Sequence, residues 1–584
     1  MTQNIAARAV SNVLQEEGVL LPPRNDRARN CCISAVAMTS SCGRLMTSSH
    51  VSVIIIIVML VVVETAAREC PDRCSCDVTS GSRDGQQVDC RGRELTDQEV
   101  GSGTFLLPAE AEELDVGRNR ISAVDWLSTL VAARLLRLYA DWCEIQRIDD
   151  GAFSDFRSLE YVDLSFNRID HLAQDAFSGL PNLRALRLDN NRLESLRPGI
   201  FRGLTLSILR LDQNLIQDVD GLAFQDAEVE TLNLDGNRLI RISGNVMRPL
   251  RNSLRNLTVS RNAVPLEVDS DAFVGFSFAV VRMRRSGLRS VKFVEDVAAV
   301  ESLDVGGNEL GGLTLAWDAA LALGCREARL NAVGLERFDA SLAQSLRSVR
   351  FLDLSANRLG IVESPAFRPL SDLRRLDLSR NRLTSLPSDF SQHLSAVERL
   401  NLSANSISGV EPTSLAGLTR LRQLDLSRNR IQMLPDALET VLAAVERFDV
   451  SGNPLHCNCE LGWLRRWLAS SAVAFRHPDD ARSVLCGGPG EPIPLLRRPV
   501  SDFVCSAPTI VSSTGSRNVA DGSDVVLACA AEGDPTPNVM WASPFGDVVS
   551  VTPPQDRQQR RLSAIWQIRR ARPHHSGWYR SVLQ

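Results

Sequence analysis

Aromatic residues make up only 5% of this sequence of 584 residues, which contains three tyrosines and seven histidines. No histidine stands in a nucleophile elbow, a metal-binding helix or a phosphate loop. The sequence therefore indicates neither a catalytic site nor a cofactor or metal site. The formal net charge of −5 is spread along the chain, whereas a nucleic-acid-binding protein shows a basic face. These absences disfavour an enzyme and a nucleic-acid partner. They leave a leucine-rich chain that is too long for one ordinary core.

Long apolar segments are also scarce. The longest run, residues 51–63, has 13 residues and is short for a membrane span of roughly 20 residues. It suits the core of a signal peptide at residues 46–67, with Ala66 and Ala67 offering a small-residue cleavage site. Residues 1–45 are then an uncertain leader from an over-extended start, and an uncleaved signal anchor is the alternative. We expect an extracellular chain, secreted as written or held at the cell surface by an anchor that this sequence does not contain.

What the sequence does contain is a repeat, L-x-x-L-x-L-x-x-N-x-L, which recurs 15 times between residues 111 and 455. Alternating residues such as Leu376 and Leu378 place two side chains inward from one short strand. The asparagine amide can bond backbone groups of adjacent turns, and no repeat buries its apolar face alone. The pattern therefore predicts an α/β leucine-rich-repeat solenoid over residues 98–455, with a parallel sheet on its concave side. A later phenylalanine fills the core on the convex side in six repeats: Phe153, Phe177, Phe201, Phe224, Phe367 and Phe390.

Three repeats depart from asparagine, with Cys143, Ser286 and Val333 in its place. Cys143 is predicted to be a buried thiol, as is Cys325 at a first-leucine position. A bridge between them is disfavoured because about seven repeats separate them. Ser286 and Val333 suggest a looser middle section.

Two groups of four cysteines flank the repeats and indicate two disulfide-stapled modules in an oxidising compartment. The stretches around Cys70-Pro-Asp-Arg-Cys74-Ser-Cys76 and around Cys457-Asn-Cys459, with Trp463 and Trp467 following, resemble the terminal cysteine caps of extracellular leucine-rich-repeat proteins. We assign the caps to residues 68–97 and 456–506; a zinc site at His456, Cys457 and Cys459 is the alternative for the second. The resemblance implies four pairings: Cys70–Cys76, Cys74–Cys90, Cys457–Cys486 and Cys459–Cys505.

Residues 507–584 change to short strand-like segments with turn residues. Cys529 followed 12 residues later by Trp541 is the spacing of two core strands of an immunoglobulin sandwich, and Tyr579 resembles its tyrosine corner. A cysteine is expected two residues after that tyrosine, but Ser581 stands there. Either the domain folds without its disulfide, or the sequence is truncated or misread near its end. The immunoglobulin-like domain therefore looks incomplete.

This order of modules resembles the family named for leucine-rich repeats and immunoglobulin-like domains and, more distantly, the LINGO and kekkon proteins. The resemblance implies a cell-surface protein that binds a protein ligand or receptor and modulates receptor signalling or adhesion. A secreted structural matrix protein is one alternative. A truncated relative of the peroxidasin-type enzymes is another, although no peroxidase segment is present.

Exposed aromatic and arginine side chains are typical of interface hot spots, and they concentrate in repeats 2 to 5. The predicted partner-binding residues are Tyr139, Trp142, Tyr161, Phe166, Arg184, Arg187 and Arg210. The alternative is that the aromatic side chains only cover the concave edge against each other. Glycosylation sequons at Asn256 and Asn401 point onto the same sheet, where glycans would obstruct docking, and none lies in repeats 2 to 5.

Repeats 8 to 10 carry charges of both signs. Arg282, Arg284 and Arg285 with Arg326 and Arg329 could make a weak heparan sulfate contact, although Glu301 and Asp304 lie between them and favour simple ion pairing. An aspartate recurs so regularly two residues before a serine that we assign it to the repeat's own hydrogen bonding: Asp353, Asp377, Asp425 and Asp449.

Overall fold

The computed structural model describes residues 70–77, 86–102, 105–108, 110–130, 134–262, 265–311, 324–470, 484–488, 490–534, 537–551, 561–572, 575 and 579–583. The predicted leader and signal peptide lie outside the described residues. Within these residues no helix has the length and apolarity needed to cross a bilayer.

One long sheet runs through the repeats. Strands β3 to β17 are its 15 repeat strands, which confirms the predicted count; each lies parallel to the strands before and after it in the chain. Strands β1 and β2 extend the sheet, with β1 antiparallel to β2 and β2 parallel to β3. The strands are β1 (Ser75–Asp77), β2 (Gln86–Asp89), β3 (Ala111–Asp115), β4 (Arg137–Tyr139), β5 (Tyr161–Asp163), β6 (Ala185–Arg187), β7 (Thr205–Arg210), β8 (Glu228–Asn233), β9 (Asn256–Thr258), β10 (Ser277–Arg282), β11 (Ala299–Asp304), β12 (Glu327–Arg329), β13 (Phe351–Asp353), β14 (Arg375–Asp377), β15 (Arg399–Asn401), β16 (Gln423–Asp425) and β17 (Arg447–Asp449).

Short elements line the opposite side of the repeats. Three pairs of two-residue strands lie there in parallel, Arg147–Ile148 with His171–Leu172 being the first. The others are Ser195–Leu196 with Asp218–Val219 and Arg241–Ile242 with Glu267–Val268. The described α-helices, of which α6 belongs to the second cap, are α1 (Asp97–Val100), α2 (Gly244–Met247), α3 (Ala340–Ser345), α4 (Pro412–Leu415), α5 (Leu438–Leu442) and α6 (Gly462–Ser470). The 3₁₀ turns are Asp125–Thr129, Arg248–Leu250, Lys292–Val294, Ser364–Phe367, Cys459–Leu461, Leu495–Arg497 and Val500–Phe503.

A phenylalanine spine fills the core next to these elements. Phe153, Phe177, Phe201 and Phe224 are buried and stacked in sequence, with centroids 5.9, 6.4 and 5.7 Å apart. Phe367 and Phe390 are also buried and meet edge to face. The predicted role of all six is confirmed.

The asparagines form the expected ladder between turns. The Asn381 Oδ1 accepts the N–H of Leu359 at 3.1 Å, and its Nδ2 donates to the carbonyls of Leu354 and Leu378, both at 3.0 Å. One side chain thus satisfies backbone groups of two successive turns, which the tight coil would otherwise leave unpaired.

The three departures keep part of this ladder. The Cys143 thiol donates to the Val116 carbonyl at 3.4 Å and the Ser286 hydroxyl to the Val259 carbonyl at 3.0 Å, while Val333 has no donor. Within the predicted looser section, strands β10, β11 and β12 still pair in parallel with one another. Cys143 and Cys325 are buried and unbridged, as predicted.

Both ends of the array are capped by the four disulfides that the resemblance implied: Cys70–Cys76, Cys74–Cys90, Cys457–Cys486 and Cys459–Cys505. Because two of its three ligands are in disulfides, the zinc alternative at His456 is wrong. In the second cap, α6 buries Trp463 and Trp467, and Trp467 packs edge-on against Phe448 of the last repeat. Its strands are β18 (Leu455–His456), β19 (Leu485–Gly488) and β20 (Gly490–Pro494).

The last segment forms two antiparallel three-stranded sheets, β21–β22–β25 and β24–β23–β26. Cys529 and Trp541 lie in their shared core, and the Tyr579 hydroxyl donates to the His575 carbonyl at 3.1 Å, which is the geometry of a tyrosine corner. The backbone of Ser581 pairs with Trp541, and Cys529 is a buried free thiol. The strands are β21 (Ser506–Ser513), β22 (Val525–Asp534), β23 (Val539–Ala542), β24 (Val548–Val551), β25 (Arg561–Ile568) and β26 (Arg580–Leu583).

Candidate protein-binding surface

The side of β3 to β17 that faces solvent, here called the sheet face, has a regular layout. In β4, Leu138 is buried while Arg137 and Tyr139 flank it on the sheet face. After the strand, the chain reaches the residue directly before the asparagine position of the repeat, here called the exit position. Trp142 occupies the exit position in this repeat. Every repeat therefore offers the same backbone with different side chains, which suits a surface that recognises a macromolecule.

The two predicted tyrosines lie together on the sheet face. The register of β4 and β5 places Tyr139 opposite Asp163 and Arg137 opposite Tyr161, so the tyrosines are diagonal neighbours. Their ring centroids are 5.1 Å apart. The Tyr161 hydroxyl donates to Asp163 Oδ2 at 3.1 Å. Burial and the negative charge of Asp163 raise the pKa of Tyr161 to about 12, so the phenol stays a neutral donor.

The exit positions of the same two repeats hold Trp142 and Phe166. Their φ angles are 54° and 55°, a left-handed conformation that bulky residues rarely adopt. The two rings are stacked with centroids 4.3 Å apart and planes 7° apart. Even so, 53% of Trp142 and 36% of Phe166 is exposed. The aromatic residues therefore do cover each other, and they still present apolar surface to solvent.

The predicted arginines behave differently from one another. Arg187 contacts Asp163 at 3.0 Å and Asp189 at 3.1 Å, and Arg210 contacts Asp212 at 3.0 Å. Arg187 thus shares Asp163 with Tyr161 and belongs to one polar network with the tyrosines. Arg184 precedes β6 at the entry end of the strand, is exposed, and has no ion pair in the part of the chain that the structure describes. The structure does not bring it into this network.

One contact, made by the first cap, was not predicted from the sequence. The Arg91 guanidinium donates to both oxygens of Asp141, at 2.9 and 2.6 Å, and to Asp115 at 3.1 Å. Asp141 directly precedes Trp142, so the cap supports the strand exit that presents the indole. An aspartate recurring two residues before the ladder position, as at Asp141 and Asp189, is the signal that could have revealed it.

The two sequons lie on the sheet face as expected. Asn256 Nδ2 donates to Thr231 Oγ1 at 3.0 Å, and Asn401 Nδ2 donates to Asp377 Oδ2 at 3.0 Å. Glycosylation at Asn256 and Asn401 stays a prediction.

The recurrent aspartates have the structural role assigned to them. Asp353, Asp377, Asp425 and Asp449 each accept the backbone N–H of the serine two residues later, at 2.8 to 2.9 Å. They belong to the hydrogen bonding of the repeat itself.

Comparisons with known proteins agree with both domain types. The sequence profile described as Leucine rich repeat matches residues 134–193, 181–239, 329–383 and 371–431, and the one described as Immunoglobulin domain matches residues 507–582.

Two curated relatives have modest similarity. Leucine-rich repeat and fibronectin type-III domain-containing protein 5 of Homo sapiens is 38% identical over 103 residues, which are 17% of this chain and 12% of that protein. Immunoglobulin superfamily containing leucine-rich repeat protein 2 of Mus musculus is 34% identical over 116 residues, 18% of this chain and 15% of that protein. The matched segments thus span only about an eighth of the length of these relatives.

A solved structure of a leucine-rich-repeat protein of Leptospira interrogans is 19% identical, with a TM-score of 0.41; the match covers 66% of this chain and 82% of that one. The parallel sheet, the disulfide-bonded caps and both sequence profiles agree on what the chain is made of: leucine-rich repeats followed by an immunoglobulin domain.

Proposed function

We propose that this chain is an extracellular or cell-surface recognition protein that binds another protein through the N-terminal third of the sheet face, with effects on receptor signalling or adhesion. The observation that carries the proposal is the stack of Trp142 on Phe166, in which 53% of Trp142 remains exposed. Repeat arrays commonly use their open sheet as a binding surface. The eight bridged cysteines fit an oxidising, extracellular location.

The surroundings of the stack have the composition of an interface. Tyrosine, tryptophan and arginine dominate binding hot spots because they combine large contact area with directed polar groups. Here Tyr139 and Tyr161 supply half-buried rings, and Arg187 and Arg210 form a polar border held by aspartates. The sequon asparagines lie farther along the array, in β9 and β15, so glycans there would leave this part open.

A cell-surface binding screen with the chain from residue 68 tests the proposal. For a partner found in that screen, Tyr139→Ala with Trp142→Ala should weaken binding roughly 30-fold or more, since a hot-spot residue contributes about 2 kcal/mol or more. The melting temperature should change little, because Trp142 is exposed and Tyr139 only half-buried.

Phe351→Ala is the matched control. Phe351 is an aromatic residue on the same sheet face, in β13, and should leave binding unchanged. Unchanged binding by the double variant, or an equal loss in the control, would remove the assignment of this surface.

A further inference from the structure

Four arginines form a second feature of the sheet face, the arginine patch: Arg261, Arg282, Arg284 and Arg285. Arg282 ends β10 and lies opposite Thr258 of β9. Arg261 and Arg285 occupy the exit positions of these two successive repeats, and the Arg261 N–H donates to the Arg284 carbonyl at 2.8 Å. All four side chains are exposed, so their guanidinium groups emerge from neighbouring points of one surface.

The patch lies in a basic stretch of the chain. Residues 236–294 contain 11 basic and three acidic residues, although the whole chain has a net charge of −5. Two of the three acids are engaged elsewhere: Asp269 binds Arg241 at 2.8 Å and Asp271 lies 3.9 Å from Arg248, both away from the sheet face. The third, Glu267, belongs to a two-residue strand on the opposite side of the repeat.

Ion pairing leaves most of this charge uncompensated. Of the four arginines, only Arg284 forms an ion pair within the described residues, with Asp304 at 3.5 Å, and Asp304 also lies opposite Arg282 in the sheet register. Arg261, Arg282 and Arg285 form no ion pair with any residue that the structure describes, and Glu301 does not neutralise them. By contrast, Arg91 of the first cap and Arg187 and Arg210 of the N-terminal repeats each contact two aspartates. Adjacent like charges repel one another, so a folded surface that keeps them together is suited to an anionic ligand.

We propose that the arginine patch binds a sulfated glycosaminoglycan. A planar guanidinium presents a fork of donors that matches a tetrahedral oxyanion, and only one of the 65 basic residues of the chain, Lys292, is a lysine. None of the exposed large hydrophobic side chains lies on the sheet face of β9 or β10, so an apolar anchor for a peptide is missing among the described residues. A polyanion recognised by charge alone fits this surface better than an acidic protein segment does.

Binding to immobilised heparin tests the proposal on the chain from residue 68. The triple variant Arg261→Gln, Arg282→Gln, Arg285→Gln should lose roughly tenfold or more of its affinity for heparin. The affinity of the wild-type protein should fall steeply as the NaCl concentration is raised. Arg284 is kept because its loss would leave Asp304, which is only 3% exposed, without its partner.

The chain offers a matched control in Arg375→Gln, Arg399→Gln, Arg447→Gln. These three arginines are exposed on the same sheet face and are also without an ion pair in the described residues, but a row of aspartates lies beside them at Asp377 and Asp449. The control variant should bind heparin within about twofold of wild type, because the neighbouring carboxylates oppose a polyanion.

Three results would overturn the proposal: an undiminished affinity in the patch variant, an equal loss in the control, or heparin binding that does not respond to salt. The pair of variants is repeated in the Asn256→Gln background, where no glycan can cover β9, and the same loss is required there. Because Tyr139 and Trp142 are untouched, this experiment fails or succeeds independently of the protein-binding proposal.

Discussion

The exit position shows how single residues differ while the backbone stays constant. Glycine fills it at Gly236, Gly307 and Gly452, where a positive φ is relaxed. The same conformation is imposed on Trp142 and Phe166, at a steric cost that a glycine would avoid. Since the fold accepts glycine at this position, the large rings are not needed to form the turn. Their rings stack on each other across two repeats and leave part of their surface exposed to solvent.

Buried thiols are a second residue-scale feature, and they predict a labelling pattern. Burial raises the pKa of Cys143 to about 11 and that of Cys325 to about 12, so both remain protonated and unreactive near neutral pH. The folded chain from residue 68 should not react with a thiol-specific disulfide reagent at pH 8. After denaturation without reductant it should show three thiols, from Cys143, Cys325 and Cys529.

The variant Cys143→Asn gives the matched control for this count. It replaces the thiol by the amide that other repeats use at the same position, so it should fold and show two thiols after denaturation. A thiol that reacts at full stoichiometry in the folded wild-type protein would contradict the buried placement.

At the scale of the element, the regular parts of each repeat could be read from the sequence. Leu376, Asn381 and Phe177 are where the repeat pattern puts them, because each serves a geometric need that recurs in every turn. The cysteine caps followed from resemblance, since spacing alone leaves several pairings open.

The polar contacts of the sheet face could not be read in the same way. Arg91 meets Asp141 across 50 residues of sequence, and Arg187 meets Asp163 across a strand boundary. Long arginine side chains can reach several carboxylates, and the choice depends on rotamers and on the register of neighbouring turns. The sequence therefore indicated that Arg187 and Arg210 lie on the surface, while their pairing with aspartates emerged only from the structure.

The asparagine ladder predicts a local effect of one substitution. Asn381→Ala removes the acceptor for the Leu359 N–H and the donor to two carbonyls, leaving buried backbone groups unpaired. We expect a loss of about 2–3 kcal/mol in local stability, and faster amide hydrogen exchange at Leu359 in particular. The control Arg382→Ala changes an exposed neighbour and should leave that exchange rate unaltered. Equal exchange in both variants would show that the ladder adds nothing to stability.

At the scale of the whole molecule, charge is used in two ways along one sheet. Near the first cap, arginines such as Arg91 and Arg187 are held between aspartates. Near the middle, Arg261, Arg282 and Arg285 form no ion pair with the residues that the structure describes. A single continuous scaffold thus carries an aromatic surface and a basic surface that can be altered separately.

The caps decide how this scaffold unfolds, because each repeat contacts mainly its neighbours and stability propagates along the array. The double variant Cys457→Ser, Cys486→Ser removes a bridge that closes a loop of 29 residues. In the chain-entropy description this bridge stabilises the folded state by about 3–4 kcal/mol. We expect faster amide exchange in β17, whose Phe448 packs against this cap, and an unchanged rate in β5, twelve strands away. The Cys143→Asn protein, which keeps all four bridges, serves as the control. Equal loosening of β5 and β17 would instead mean that the array unfolds as one cooperative unit. The proposed partner binding at Trp142 would then depend on the integrity of the distant cap.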